Sequence, residues 1–393
     1  MMLAFISAFP PLSTDLYLPA LPQMMAALDS SQSYVNMTLS LFFIFFAVGI
    51  LIWGPLSEKY GRKPILLIGL VLYVLFSILC ALAQNVGQLI VFRSLQAFGG
   101  GAATAVATAI VKDIFSVRER ERVLAIVMAL VIIAPVVAPI MGALLLEFAS
   151  WRAIFWTLSA IGLLAVAAGS LLEETLETPY TGSSLRSLGR LGVVLSNPGF
   201  TSLLIIFSLA PVSLMAFLAA SSYVYIQGFG LTEREFSYFF ALNAISAMLG
   251  PLLYVRIAKF FTAKAVITFC FGLLAISGLL MYILGHDSPL LFALVMMPAT
   301  MSVTTMRPPG ANLMLEQQQY DSGSASSLIN FFGMVMGSVG MFLISQEGHD
   351  LIVTLGILQL SIGIIGGSLW LLLRNKPFIK QSANRSKLQE KPV

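Results

Sequence analysis

The chain has 393 residues, of which 58% are hydrophobic and only 10% are charged, and its mean hydropathy is +0.91. A soluble domain carries roughly 25% charged residues because its surface faces water. The composition therefore excludes a soluble multidomain enzyme, and the same values exclude a disordered chain. A polytopic membrane protein remains. The net charge of +4 is spread over many short loops, so we expect no nucleic-acid partner.

Twelve apolar segments are long enough to cross a bilayer, for which a helix needs about 20 residues. We predict an all-α membrane protein with spans at 2–23, 35–56, 64–83, 88–111, 122–145, 151–172, 200–226, 236–258, 264–285, 288–308, 323–344 and 350–373. The longest polar gap follows the sixth span. We therefore predict two six-helix bundles, 1–172 and 200–373, joined by a cytoplasmic linker at 173–199 and followed by a cytoplasmic tail at 374–393.

The orientation follows from lysine and arginine, which collect on the cytoplasmic side. With both termini in the cytoplasm, all 22 of these residues except Arg93, Arg152 and Arg234 fall in inner loops, at inner span ends or in the tail. Arg307 is placed at the inner end of span 10. Span 1 begins at Met1 or Met2 without a charged flank, so either the helix starts there or the start codon lies upstream.

Two ionisable side chains remain well inside predicted spans, Asp15 in span 1 and Arg93 in span 4. At a rise of about 1.5 Å per residue, both lie in the outer half at depths that allow contact, directly or through water. Such residues are costly in a bilayer and mark functional sites. A structural ion pair is one interpretation. The other is a proton carrier, since burial favours a neutral carboxyl whereas a nearby guanidinium favours the anion.

Other site chemistry is poorly represented in the sequence. The chain has two cysteines and two histidines, and they form no cluster with carboxylates, so we expect no metal and no cofactor other than protons as the coupling ion. Polar side chains that could line a cavity near Asp15 could equally be satisfied by bonding between helices. These candidate substrate contacts are Thr14, Tyr17, Asn36, Gln96 and Asn243.

A motif with the sequence GPLSEKYGRKP begins at Gly54, between spans 2 and 3. It resembles the loop 2–3 signature of the major facilitator superfamily, which usually has Asp in place of Glu58. The resemblance implies that Gly54 allows close helix packing, that Gly61 permits a tight turn, and that Glu58, Arg62 and Asp113 form a charge latch holding the outward-facing state. The alternative is positive-inside topology with a solvated turn.

Three further stretches strengthen this resemblance: PLSTDLYLPALP in span 1, RSLQAFGGG in span 4 and APVVAPIMG in span 5. They resemble the twelve-span drug:proton antiporters, specifically the Bcr/CflA subfamily of bicyclomycin and chloramphenicol resistance proteins. Pro135, Pro139 and Gly142 belong to the span 5 antiporter motif, although Ala138 stands where a Gly-Pro pair is commoner. Each proline removes a backbone hydrogen bond, so span 5 is either a bending element or a static kink.

The resemblance implies proton-coupled efflux of small amphipathic or drug-like molecules across the bacterial inner membrane by alternating access. Asp15 would carry the proton and Arg93 would tune it, in a monomer whose partners are the substrate, protons and the lipid bilayer. A metabolite or amino-acid exporter, or a proton symporter, has the same fold and charges. An enzyme would need paired carboxylates, an exposed nucleophile or a metal cluster, and the spans contain none; a pore would need a repeated polar lining.

Overall fold

The computed structural model describes residues 9–114, 117–176, 184–318 and 322–379, and the regular elements within these ranges are all helical. The linker residues 177–183 and the tail from residue 380 lie outside the described ranges. The helices are α1 (Phe9–Asp15), a 3-10 helix (Leu18–Ala20), α2 (Leu21–Ala27), α3 (Gln32–Tyr60), α4 (Arg62–Leu82), α5 (Val86–Ile114), α6 (Val117–Phe148), α7 (Arg152–Ser170), α8 (Ser184–Leu195), α9 (Pro198–Ser208), α10 (Ala210–Ser222), a π-helix (Tyr223–Gly228), α11 (Glu233–Ile257), α12 (Ala263–Leu284), α13 (Pro289–Glu316), α14 (Ser322–Ile344) and α15 (Leu351–Leu373).

Ten helices in the described part of the chain are long and apolar enough to cross a membrane, and the described side chains of α6 add a shorter apolar helix, Ile133–Phe148. The all-α membrane fold is therefore confirmed. The number of twelve spans, their orientation and the bundle boundaries stay predictions. Spans 2 to 6 correspond to α3 to α7, and spans 8 to 12 correspond to α11 to α15.

The helices pack with the same pairing in both halves of the chain. In the first half α3 packs on α5, α4 on α5 and α7, and α1 on α6; in the second, α11 packs on α13, α12 on α13 and α15, and α10 on α14. Glycines allow the closest contacts, since a Cβ on Gly99 would lie 2.7 Å from the Gly69 carbonyl oxygen and one on Gly356 would lie 2.9 Å from that of Gly278. Small residues are the usual contact points between membrane helices, because they let backbones approach.

The two halves meet mainly where α3 packs on α14 and α6 packs on α11. At the start of α3, Asn36 Nδ2 donates to Ser345 Oγ at 2.7 Å and to the Ala219 carbonyl oxygen at 3.3 Å. Ser345 directly follows α14. This face of the molecule, which the predicted topology places outside, is therefore closed by direct hydrogen bonds between the halves.

The second contact between the halves closes the same face. Ser237 Oγ, near the start of α11, donates to the Pro139 carbonyl oxygen of α6 at 3.0 Å. Nearby, Arg234 Nε lies 3.4 Å from Glu147 Oε1. Both side chains of this ion pair are partly exposed, so the pair contributes little stability, but it marks where α6 and α11 touch.

The prediction that span 1 is one continuous helix is wrong. Helix α1 ends at Asp15, and the chain turns through Leu16 and Tyr17 before the 3-10 helix and α2. Pro19 has no N–H, so the Asp15 carbonyl loses its usual helical donor, and Pro22 does the same to Leu18. The prolines break the span even though the apolar run continues through them.

Two elements extend the predictions. The predicted linker contains a helix, α8, whose Leu191, Val194 and Leu195 pack against the core. Helix α13, which corresponds to span 10, continues past residue 308 to Glu316. Arg307 therefore lies within this helix and not at its end.

Cysteine substitutions test the closed face. Asn36→Cys and Ser345→Cys together should form a disulfide under mild oxidation, because their side chains are already in hydrogen-bond contact and a disulfide needs Cβ atoms about 3.5–4.5 Å apart. Gel mobility with and without reductant measures the product, in a background in which Cys80 and Cys270 are replaced by alanine. The control pair, Tyr60→Cys with Ser345→Cys, should stay uncoupled, since Tyr60 ends α3 at the opposite face. Equal yields from the two pairs would contradict the closure.

Candidate functional site

The broken span 1 places a buried carboxyl at the end of α1. Asp15 is only 6% exposed, and Thr14 Oγ1 donates to Asp15 Oδ1 at 3.1 Å. Within the described ranges, no lysine or arginine forms an ion pair with it. The break therefore holds an acid whose charged form has little compensation from the protein.

Arg93 is completely buried in α5 and is surrounded by aromatic rings. Its Cζ atom lies 4.2 Å from the ring centroid of Phe42, 4.7 Å from that of Tyr17 and 5.6 Å from that of Phe155. Its Nη1 donates to Gln96 Oε1 at 2.6 Å, whereas Nε and Nη2 have no hydrogen-bond partner among the described residues. Cation–π attraction therefore compensates much of this charge. The structure does not bring Asp15 and Arg93 into an ion pair.

A chain of hydrogen bonds continues from Arg93 into neighbouring helices. Gln96 Nε2 donates to Ser77 Oγ at 2.6 Å, and Ser77 Oγ donates to the Tyr73 carbonyl oxygen at 2.6 Å. The Tyr73 hydroxyl is hydrogen-bonded to Ser13 Oγ in α1. This polar network joins α1, α4 and α5, so it fixes one side of the break in span 1.

The other predicted cavity residues also bond to neighbouring helices. The Tyr17 hydroxyl is hydrogen-bonded to Thr38 Oγ1 of α3. Asn243 Oδ1 accepts from Thr300 Oγ1 at 2.9 Å, and Asn36 belongs to the closed face, with its Oδ1 buried and without a partner in the described part of the chain. The structure therefore places Thr14 and Tyr17 at the break, Gln96 beside Arg93, and the two asparagines in separate helix contacts.

The span 5 motif packs directly on the break. A Cβ on Gly142 would overlap the Leu16 carbonyl oxygen and would lie 3.4 Å from Pro19 Cγ. Helix α6 stays helical through Pro135 and Pro139, and the Pro139 carbonyl oxygen accepts from Ser237 of the other half. The motif thus contacts the broken span through Gly142 and α11 through Pro139, three positions earlier in α6.

The predicted charge latch is assembled only in part. Arg62 Nε lies 2.9 Å from Asp113 Oδ2, and Arg62 Nη1 donates to Ser57 Oγ at 2.8 Å. Gly61 has a φ of +102°, a conformation that favours glycine. Glu58 is exposed and has no hydrogen bond or ion pair with any described residue. The predicted close approach at Gly54 is absent in this conformation, since a Cβ there would meet nothing within 4 Å.

A different carboxylate, that of Glu174 in the predicted linker, contacts this region. Glu174 accepts from the backbone amides of Arg62 at 2.8 Å and Lys63 at 3.1 Å, at the start of α4. Partial burial alone would raise the pKa of Glu174, but hydrogen bonds from the amides of Leu176, Arg62, Lys63 and Thr175 hold it below its usual value. The sequence contains no signal for this contact, because a helix cap from a distant loop follows no spacing rule.

These features define a class: a multi-pass helical membrane transporter with a buried carboxyl at a broken spanning helix. The sequence profile of the Major Facilitator Superfamily matches residues 3–341, and the chain belongs to that family. It is therefore a secondary transporter of small molecules and not an enzyme.

Similar proteins agree with the resemblance found in the motifs. The MFS-type transporter YdgK of Bacillus subtilis is 28% identical over 86% of both chains, and a bicyclomycin resistance protein homolog of Haemophilus influenzae is 28% identical over 88% of this chain and 89% of its own. The multidrug resistance protein MdtL of Citrobacter koseri is 25% identical over 91% and 89%. The predicted membership of the superfamily, with relatives of the bicyclomycin resistance type, is confirmed.

Solved structures confirm the fold. The nucleoside transporter NupG has a TM-score of 0.75 at 12% identity, covering 95% of this chain and 98% of its own. A D-xylose-proton symporter has a TM-score of 0.71 at 13% identity, covering 96% of this chain and 97% of its own. At such identities the likeness extends to the fold alone.

Gly142→Ala tests the contact between α6 and the break. The added methyl group overlaps a backbone oxygen that cannot move without displacing the break, and overpacking of this kind costs about 1–3 kcal/mol. We expect a lower Tm of the purified protein by thermal unfolding. Gly272→Ala is the matched control, since a Cβ at that helical position meets nothing within 4 Å. Equal Tm values for the two variants would show that the contact is loose in solution.

Glu174→Gln tests the cap on α4. A lowered folded-state pKa means that the stabilisation is present above the unfolded value, about 4.3, and is lost as the pH falls through the folded-state pKa. At neutral pH the variant should be less stable by about 0.3–1 kcal/mol, the range for an exposed charge at a helix N-terminus. The difference should shrink in acid, as measured by chemical unfolding across pH. Glu173→Gln, which removes the neighbouring exposed acid, should not show this pH dependence.

Proposed function

We propose that the protein exports small amphipathic or drug-like molecules across the bacterial inner membrane in exchange for protons, by alternating access. The observation that carries the proposal is the buried Asp15 carboxyl at the break of span 1. Ionisable groups inside membranes mark proton pathways, and broken helices of transporters hold coupling-ion sites. The names of two relatives, a bicyclomycin resistance homolog and a multidrug resistance protein, support export of drug-like compounds.

Asp15 is the proton carrier in this proposal. Burial favours the neutral, protonated carboxyl, and contact with water on one side of the membrane favours release of the proton. A membrane potential supplies about 2.3 kcal/mol per charge per 100 mV to drive the exchange. One titrating group suits one or a few protons per cycle.

Arg93 acts on Asp15 through the break and not by direct pairing. Its guanidinium lies over the Tyr17 ring, two residues from Asp15, and its hydrogen-bond chain reaches Ser13 on the other side. Arg93 is thus a positioning residue, which holds the backbone on both sides of the acid. The protein works as a monomer, with both termini in the cytoplasm.

The proposal also gives α6 a role in coupling. Gly142 packs on Leu16, next to Asp15, while Pro139 bonds to Ser237 of the other half. When the halves separate at this face, α6 loses the hydrogen bond from Ser237. The packing of Gly142 against Leu16 then changes as well. Access to Asp15 is thereby linked to the opening of the outer face.

Asp15→Asn tests the carrier directly. In inverted membrane vesicles with an acidified lumen, compounds added outside should cause proton release through the wild type, as followed by a pH-sensitive dye. Bicyclomycin, chloramphenicol and amphipathic compounds of each charge type form the panel. Asn cannot be deprotonated, so we expect the substrate-dependent signal to fall by at least about tenfold, the effect of losing an essential proton-transfer group.

Asp29→Asn is the matched control, because Asp29 is an exposed acid just after α2 and should leave coupling intact. Asp15→Glu, which keeps the carboxyl, should retain part of the signal. Normal coupling in Asp15→Asn would assign the proton to another group. Proton release only when the compound is loaded in the lumen would identify a symporter in place of an exporter.

A further inference from the structure

A cavity of about 190 Å³ lies between α9, α10, α13 and α14, away from the hydrogen bonds that close the outer face. Phe43 of α3, in the other half, forms part of its wall. The α13 residues that line it belong to the second half of that helix, and the α14 residues belong to the first half and the middle of α14. The wall is mostly apolar and flexible, with Phe207, Met215, Met306 and Met334 among its residues. Such walls adapt to ligands of varied shape.

One charged side chain, Arg307, lines this cavity, and no carboxylate of a described residue lines it. Arg307 is an exposed residue, and it forms part of the cavity wall. It lies about 14 Å from the end of α13 at the usual helical rise. Pro308 and Pro309 follow it and cannot donate to the Thr304 and Thr305 carbonyls, which loosens the helix at this level.

Asn330 of α14 orients the guanidinium. Its Oδ1 lies 3.4 Å from Arg307 Nη2, and its Nδ2 donates to the Ser326 carbonyl oxygen at 3.1 Å. The amide is therefore held by its own helix and turns its oxygen towards Arg307. Among the described residues, Arg307 has no ion pair and no aromatic ring over it. Arg93, by contrast, is completely buried with three rings and Gln96 around its guanidinium, so of these two arginines it is Arg307 that can meet a ligand in the cavity.

We propose that this cavity binds an amphipathic substrate that carries one anionic group, with the anion on Arg307 and the apolar body against the methionine and phenylalanine wall. This inference rests on the proposed export function and names the substrate class. A guanidinium presents a planar fork of donors that matches a carboxylate, a sulfonate or a phosphate, and charge-assisted hydrogen bonds are about twice as strong as neutral ones. A cationic compound would meet an unscreened like charge.

Three ligands with the same ring test the charge preference: 2-naphthoate, neutral 2-naphthamide and cationic 2-naphthylmethylammonium. Calorimetry on the purified full chain in detergent at neutral pH measures their affinities. We expect the wild type to bind 2-naphthoate at least about tenfold more tightly than 2-naphthamide, and the ammonium compound least tightly. Arg307→Gln should remove the preference for the anion and leave amide binding unchanged.

Two further variants complete the test. Arg307→Lys should keep part of the preference, since the charge remains while the planar fork is lost. Arg256→Gln, at an exposed arginine near the end of α11 and outside the cavity, should behave as wild type. Thermal unfolding checks that each variant is folded, and the comparison of the three ligands on the wild type stands without any variant.

Several results would overturn the inference: a wild type that prefers the amide or the ammonium compound, no binding of 2-naphthoate at millimolar concentration, or an anion preference that persists in folded Arg307→Gln. Binding in detergent needs no proton gradient, and Asp15→Asn should bind 2-naphthoate with the wild-type preference. Proton exchange in vesicles without an anion preference would reject this inference alone. An anion preference without proton exchange would reject the export proposal alone.

Discussion

The hydrocarbon core of a bilayer contains no water, so every backbone polar group of a spanning helix must find its partner inside the protein. The break in span 1 is the point at which this constraint is hardest to meet. Helix α1 ends at Asp15, and neighbouring helices close around the turn that follows: α4 through Tyr73, α3 through Thr38, and α6 through the glycine that receives the Leu16 carbonyl. Irregular backbone at this depth requires such a protein enclosure, and it creates the environment in which a carboxyl can be held without a counter-ion.

Three arginines of this chain differ in what surrounds the guanidinium. Arg62 pairs with Asp113 at the end of its helix, which is the usual solution. Arg93 is enclosed by aromatic faces and one amide oxygen, which compensate its charge in this structure. Arg307 has one long contact with Asn330 and otherwise faces a cavity. In the proposed binding mode, the anionic group of the substrate would compensate this charge as Asp113 compensates that of Arg62.

Sequence reasoning succeeded where the bilayer imposes a composition. Because a bilayer requires apolar helices, the all-α fold could be predicted from composition. Because charged residues are scarce, Asp15 and Arg93 could be recognised as the exceptions within predicted spans. Sequence reasoning failed where contacts with other parts of the chain decide where a helix ends or which groups meet. Pro19 and Pro22 were visible, but the apolar run around them favoured a continuous span. The predicted span 10 ends at Pro308, whereas helix α13 continues through both prolines to Glu316, and only the folded chain shows that Arg307 lines a cavity. Glu174 and the start of α4 are far apart in sequence, so only the folded chain brings them together.

The contacts of the charge latch and of the closed face fit one conformational state, in which the two halves touch at the predicted outer face. With the predicted orientation, the halves touch at the outer face, the cavity lies on the inner side of it, and Glu58 has no partner among the described residues. Arg62 and Asp113, by contrast, are paired in this conformation. Asp15 lies under the closed face and is almost inaccessible. In the proposed exchange, a proton from outside would reach it only after α6 and α11 separate, so the Ser237 bond to Pro139 would be one of the contacts that break before each proton enters.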